Sequence, residues 1–367
     1  MEVAIIVVFL AVFFSYSVQK GIKSGLEIAF FILTVYWAIR YDFGNDYMSY
    51  LGESQLYLSN DIDLGNLDTY RDIQSRGEYG WVFLIKLFEP IGFFGLIIVL
   101  SIFECFTIYW HIKKYVPNSY YWLATALYCL NINFMMIGAS MLRQWLAICI
   151  CLWAFEFINK KKLLPFVLLV FAASTVHTAS LIVLPAYLLV FSQKARFNRN
   201  QIIIILLLVL VWSVLAVSIM SDLWTGIFIN ERLEGYSMYL NLKGDDRGII
   251  GLVVIYALSL LPLSYLKEET NPAIKLFSVI TVLNIIFVPI SSVVPLITRT
   301  GLYFFICSII TFPAAFVRIS KHNKALSTTA ILLVIAYYSY TFIRMFSSPI
   351  WHDSFIKYHT IFSVPWQ

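Results

Sequence analysis

LLPFVLLVFAASTVHTASLIVLPAYLLVF, residues 163–191, decides how this chain is folded. One bilayer crossing takes roughly 17–25 apolar residues, so the stretch is too long for one comfortable helix and too short for two full ones. At its centre Ser174-Thr-Val-His177-Thr-Ala-Ser180 interrupts the apolar run. The stretch therefore reads as two short helices that meet in a break at His177.

Working outward, further spanning runs are expected at residues 3–17, 25–39, 93–110, 120–137, 144–157, 202–220, 249–266, 274–290, 301–316 and 326–343. The total is about twelve crossings. Loop charges test this count, because Lys and Arg concentrate on the cytoplasmic side. With both termini outside, 15 of the 26 Lys and Arg fall inside, while 16 of the 21 acids fall outside. Reading 163–191 as a single span would throw the Lys194–Arg199 and Arg318–Lys324 clusters to the outside. Two short spans fit better.

Composition agrees. Of 367 residues 60% are hydrophobic and only 13% charged, about half the charged share of soluble domains; the mean hydropathy is +0.80. The expected fold is an all-α polytopic membrane protein, a single membrane domain over 1–367, with outer loops at 40–80 and 221–247. Tyr and Trp gather at the ends of apolar runs (Tyr36, Trp37, Tyr109, Trp110) as interfacial belts do. The five cysteines all lie in apolar runs and match neither a redox CxxC nor a zinc spacing. The first run has no basic leader and is followed by Lys20 and Lys23, which favours a retained span over a cleaved signal.

The chemically useful ionisable residues map to one rim. Arg40-Tyr-Asp-Phe-Gly-Asn-Asp46-Tyr47 follows the second run. Arg40 there can snorkel to the interface, or face a pocket with Asp42 and Asp46. Glu78-Tyr-Gly-Trp81 precedes a short apolar stretch, 82–88, that reads as an interfacial helix. Glu78 is either an N-terminal helix acid favoured by the macrodipole or a substrate-binding carboxylate. Arg143-Gln144 opens a helix, where a cation is unfavourable without an anionic partner. His177 is the one histidine inside the apolar interior, either a satisfied structural residue or a general base. Arg247 and Arg299 stand before two later spans. Several guanidinium groups facing one compartment suit a diphosphate, whose oxygens they bind bidentately.

No P-loop, GxGxxG, HExxH or hydrolase elbow is present. An outward-facing enzyme without a nucleotide motif needs a lipid-activated donor. A lipid-linked oligosaccharide flippase also commonly has about twelve spans, but it would line a central cavity with charge, and midspan acids are few here (Glu104, Glu156). An O-antigen ligase shares the chemistry and differs in acceptor. A membrane O-acyltransferase is a more distant alternative.

In these motifs the chain resembles the EpsG family of exopolysaccharide and O-antigen repeat-unit polymerases, of the Wzy type. The matching pieces are Arg40 to Tyr47 after the second span, Glu78-Tyr-Gly, Arg143-Gln-Trp-Leu-Ala147, His177-Thr-Ala-Ser180, and Arg299 before a Tyr303-bearing helix. The resemblance implies a GT-C-like architecture in the bacterial inner membrane, with the active site facing the periplasm or exterior. It implies transfer of a glycan from undecaprenyl diphosphate to another lipid-linked repeat unit, with no cofactor or metal; direct attack of the acceptor hydroxyl on the anomeric carbon is then expected to give inversion. Its partners would be the lipid-linked oligosaccharide, the bilayer and a chain-length regulator protein, not nucleic acid. Joined to the residues, Arg143, Arg299 and Arg40 hold the diphosphate, and His177 or Glu78 accepts the acceptor proton. Asp42, Asp46 and Tyr47 contact sugar, and Gln144 and Arg247 complete the expected substrate contacts.

Overall fold

The computed structural model describes residues 1–58, 77–194, 198–227, 248–292, 297–349 and 351–363. It is helical throughout, with one two-residue strand pair. Among the described residues four helical segments are long and apolar enough to cross a membrane: Glu2–Lys20, Glu89–Tyr115, Leu142–Asn159 and Lys324–Met345. A bent pair, Ile297–Phe305 and Ser308–His322, meets at 54° and makes a fifth if it is one span. Six more apolar helices are shorter, including Gly25–Ala38 and Leu163–Val176.

The distribution of side chains is that of a membrane protein. Phe9, Phe13, Phe106, Leu168 and Leu333 are exposed on helix surfaces. Small hydroxyls are buried between helices instead, as in the Ser15–Thr125 bond of 2.8 Å and the Thr281–Thr311 bond of 3.2 Å. Lipid offers no penalty to an exposed Phe, so the interior is free to collect polar contacts.

The chain forms two compact units, one of Met1–Ala154, Leu164–Leu181 and Ile319–Gln367, the other of Phe155–Leu163 and Ile182–Arg318. In the first, helix Glu2–Ser17 packs on Gly25–Ala38 and Tyr121–Leu130, and Gly25–Ala38 packs on Gly92–Tyr115. In the second, Gly248–Ser264 packs on Pro272–Leu283, which packs on Ile297–Phe305. Asn271 caps Pro272–Leu283 by accepting from the Ala273 amide at 2.9 Å, with proline at the first helical position.

The decisive stretch breaks at His177, after helix Leu163–Val176. Beyond the break the chain runs not as an α-helix but as a 17-residue 3₁₀ helix, Thr178–Lys194. Such long 3₁₀ runs are uncommon, and the geometry has a use here: at 2.0 Å per residue, 17 residues reach ~34 Å, against ~26 Å for an α-helix.

The expected span 120–137 is interrupted. Helix Tyr121–Leu130 stops because the Asn131 side chain accepts the Asn133 amide at 3.1 Å, a local turn that competes with helical bonding. A separate short helix, Met136–Ser140, precedes Leu142–Asn159. Part of the expected 40–80 loop is also ordered: Tyr47–Leu58 is a helix. Residues 59–76, and most of the 221–247 loop with Arg247, lie outside the described residues.

The loop after the second helix is pinned by the C-terminal segment. Strand Arg40–Tyr41 pairs antiparallel with His359–Thr360, Arg40 opposite Thr360. The Ile361 amide donates to the Ile39 carbonyl at 2.9 Å, and the Gly44 amide to the Ser354 carbonyl at 3.1 Å. Phe43, fully buried, sits edge-on to Phe355 (5.0 Å) and Tyr358 (5.2 Å). Gly44 has φ +121°, and a Cβ there would come within 3.1 Å of the Ser140 Cα. Glycine alone fits that approach. Phe43→Ala should cost about 3–5 kcal/mol by emptying this aromatic box, read as a lower thermal midpoint of the detergent-solubilised protein; an unchanged midpoint would show that the C-terminal segment holds the loop without it.

Candidate functional site

Glu78 precedes helix Tyr79–Leu87 at its N-cap position, yet its side chain makes no bond to its own helix. The carboxylate turns away instead. One oxygen accepts from Arg143 Nη1 at 2.8 Å, and the other lies 3.4 Å from His177 Nδ1 and accepts the Thr178 amide at 3.2 Å. The carboxylate thus joins the starts of two helices and the break between Leu163–Val176 and Thr178–Lys194. Its side chain is 6% exposed, that of Arg143 14% and that of His177 27%, so the group opens to the surroundings at the imidazole.

This arrangement answers the question Arg143 posed at a helix N-terminus. Its positive charge is met by a carboxylate held across the loop, so the unfavourable dipole end is offset. A second layer secures it. The guanidinium carbon lies 5.4 Å from the Tyr50 ring centroid, a cation–π contact. The Tyr50 ring packs edge-on against Trp81 at 5.4 Å, and the Trp81 indole N–H donates to Glu53 at 3.3 Å. Burial raises the Tyr50 phenol above its usual pKa, against the pull of Arg143, so the hydroxyl stays protonated.

Tyr50, Glu53 and Trp81 were not among the expected site residues. Their signal was present: Tyr47, Tyr50, Ser54 and Tyr57 are all buried, and their spacing of three and four is one face of a helix. Read as loop, that face was invisible. Gly80 closes the arrangement, because a Cβ there would stand 2.8 Å from Thr175 Cβ and 3.0 Å from its carbonyl carbon. Helix Tyr79–Leu87 can therefore lie directly against the backbone two residues before His177.

Arg40 is placed elsewhere. It is 1% exposed and neither snorkels nor joins Glu78. Nη1 donates to the Trp37 carbonyl at 2.7 Å and to Ser101 at 3.4 Å, and Nη2 to the Ala139 carbonyl at 3.4 Å. Glu104, one turn beyond Ser101, lies within electrostatic range of it. Tyr47 is fully buried and donates to the Arg40 carbonyl at 3.1 Å. Asp42 is exposed with φ +44°, and Asp46 is half-buried with its amide on Ser140 at 3.3 Å. Gln144 is buried beside Arg143 on the same helix. Arg299 lies in the first turn of helix Ile297–Phe305, half-buried in the second unit. Among the described residues no three His, Cys, Asp or Glu side chains are grouped to hold a metal ion. All five cysteines are buried.

Gly80→Ala should force helix Tyr79–Leu87 off Thr175, cost about 1–3 kcal/mol, and weaken any activity that needs Glu78 and His177 together. The check is the thermal midpoint beside the surface-glycan profile of a complemented strain, and wild-type values for both would show that the close approach is dispensable.

Nothing matches among curated proteins or among solved structures. A family model does match, over residues 26–360, a range that holds every part of the Glu78 group. The chain is a member of the EpsG family.

Proposed function

We propose that this protein polymerises undecaprenyl-diphosphate-linked oligosaccharide repeat units at the outer face of the bacterial plasma membrane. Members of the EpsG family are Wzy-type polymerases, and a polysaccharide-polymerase role in the broad sense follows from membership. The observation that carries the finer reading is the single carboxylate of Glu78 touching both Arg143 and His177.

In this reading His177 is the general base. The Glu78 carboxylate is committed to Arg143 and to the Thr178 amide, whereas the more exposed imidazole has that carboxylate beside Nδ1 to orient it and to stabilise its protonated form. An acceptor hydroxyl attacks the anomeric carbon from the face opposite the diphosphate. The carbon–oxygen bond to the diphosphate breaks, the proton passes to His177, and the anomeric centre inverts. Arg143, held by Glu78 and Tyr50, stabilises negative charge on the departing diphosphate, the kind of electrostatic contribution that is usually the largest. Arg299 is assigned the same chemistry in its own unit. Arg40 is assigned to holding the loop, since Nη1 and Nη2 donate to the Trp37 and Ala139 carbonyls.

The location fits. The Glu78 group lies toward the Phe93 end of helix Gly92–Tyr115: its neighbours Tyr50, Trp81, Leu142 and Val176 share one apolar cluster with Phe93 and Leu96. Lys113 and Lys114 stand at the other end, twenty residues and ~30 Å from Phe93. Lysine-rich rims favour the cytoplasm, which supports an outward-facing Glu78. The Met1 ammonium donates to the Ile356 carbonyl, and the C-terminal segment pairs with Arg40–Tyr41, which supports an outer position for both in the same reading. The same reading takes the chain across about twelve times in a GT-C-like arrangement, with the 3₁₀ helix as one crossing.

Complementation of a deletion strain tests the reading through its surface glycan. Wild type should restore a polymer ladder, and His177→Ala should leave only a single capped repeat unit, with turnover of the purified enzyme down about 10²–10⁴-fold. Loss of the single unit as well would mean transport, and free unattached polymer would mean a ligase. Arg143→Ala and Arg299→Ala should each abolish the ladder; wild-type ladders in both would remove the diphosphate assignment.

A further inference from the structure

At the Lys113 end of helix Gly92–Tyr115 the first unit holds a cavity of about 200 Å³. It lies between residues 18–27 and residues 113–121. Gly21, at φ +98° in the left-handed region, turns the chain between Glu2–Ser17 and Gly25–Ala38 and sets the first wall. The cavity is lined by apolar Val18 and Leu26 together with Tyr121, whose hydroxyl donates to the Lys113 carbonyl at 3.2 Å. Its polar wall is Lys23, Glu27, Lys113 and Asn118.

The charges are arranged, not scattered. Glu27 accepts from both Lys113 Nζ and the Tyr109 hydroxyl (3.0 Å), and the Lys113 ammonium also lies 5.2 Å over the Tyr109 ring. Lys113 is thereby fixed in place. Lys23 has no carboxylate within ion-pair distance among the described residues. Two lysines less one glutamate leave the cavity with a net charge of +1. Next to it Lys114 lies 4.3 Å over the Trp110 ring, and Lys20 5.9 Å over Tyr16. Lysines over aromatic rings at a helix end mark headgroup depth.

We propose that this cavity binds a phosphodiester of charge −1 that carries free hydroxyls, the headgroup of a phosphatidylglycerol-type lipid. One negative phosphate matches the net +1, with Lys23 and Lys113 as its cations. A zwitterionic headgroup would bring a second cation toward lysines. The headgroup hydroxyls suit the carboxylate of Glu27 and the amide of Asn118. Drug-sized sites run to roughly 300–1,000 Å³, so this smaller cavity takes a headgroup and excludes a lipid-linked oligosaccharide. The exposed Phe13 on the adjoining helix offers apolar surface for an acyl chain. Basic recesses between helices at the cytoplasmic rim are where such headgroups are held. Assignment to the inner leaflet rests on the orientation proposed above; binding itself does not.

The test uses the full chain in nanodiscs of phosphatidylcholine, with and without phosphatidylglycerol, read by thermal midpoint and by lipid retained in native mass spectrometry. Phosphatidylglycerol should raise the midpoint of wild type and of Lys324→Gln, which loses the same charge outside the cavity. Lys23→Gln should bind it about fivefold more weakly. An equal response in Lys23→Gln would reduce the effect to general surface charge and overturn the site. An equal rise from inorganic phosphate in pure phosphatidylcholine discs would make the ligand a soluble anion, and one from phosphatidylethanolamine would remove the charge argument. None of these outcomes depends on glycan synthesis, so failure here leaves the polymerase reading standing, and the reverse.

Discussion

A carboxylate taken out of water must be compensated, and the compensation of Glu78 ties together distant segments of the first unit. Desolvating one ion is expensive, and its partner repays that only with good geometry and further hydrogen bonds. Glu78 has both, in the Arg143 guanidinium and the Thr178 amide. Three chain segments, from before Tyr79, from the start of Leu142–Asn159 and from the break after Val176, are tied by two oxygens. Such a pair adds little net stability over an apolar substitute, but removing one partner leaves a buried charge unmatched. Its value is in position: it holds an imidazole and a guanidinium within one carboxylate's reach.

Arg40 solves a similar problem differently. Its charge is met by two backbone carbonyls, a serine hydroxyl, and the Trp37 and Tyr47 rings at 5.2 and 5.9 Å. These partners come from the second helix, from Tyr47–Leu58, from Gly92–Tyr115 and from the segment just before Leu142–Asn159. The loop that carries Arg40 is locked from outside by the C-terminal segment through Phe43 and the Arg40–Tyr41 strand. The same loop lies against Ser140, three residues before Arg143, through the Asp46 amide and the close approach of Gly44.

Much of the fold was legible as sequence because bilayer crossing is a one-dimensional constraint. Apolar length, loop charge and a polar interruption at His177 are all local, and the break falls there. The interruption at Asn131 was missed because a single side-chain-to-amide bond outweighs an apolar run. Helix Tyr47–Leu58 was missed because its buried face is made of tyrosines, which composition alone assigns to a polar loop. Tyr50 and Glu53 were missed with it.

The residue types of the candidate site were likewise visible singly, each with a bland alternative that sequence could not dismiss. Glu78 had the position of a helix cap, and Arg143 had an unfavourable place awaiting a counter-charge. That the first supplies the second, across 65 residues, is decided by packing alone. The sequence by itself determined that the chain is a helical membrane protein, since hydropathy and charge distribution are properties of the chain. Only the tertiary structure decided that Glu78, Arg143 and His177 meet while Arg40 turns inward. Contact between distant segments depends on helix ends, glycine approaches such as Gly80 on Thr175, and the desolvation cost that leaves a buried charge few places to go.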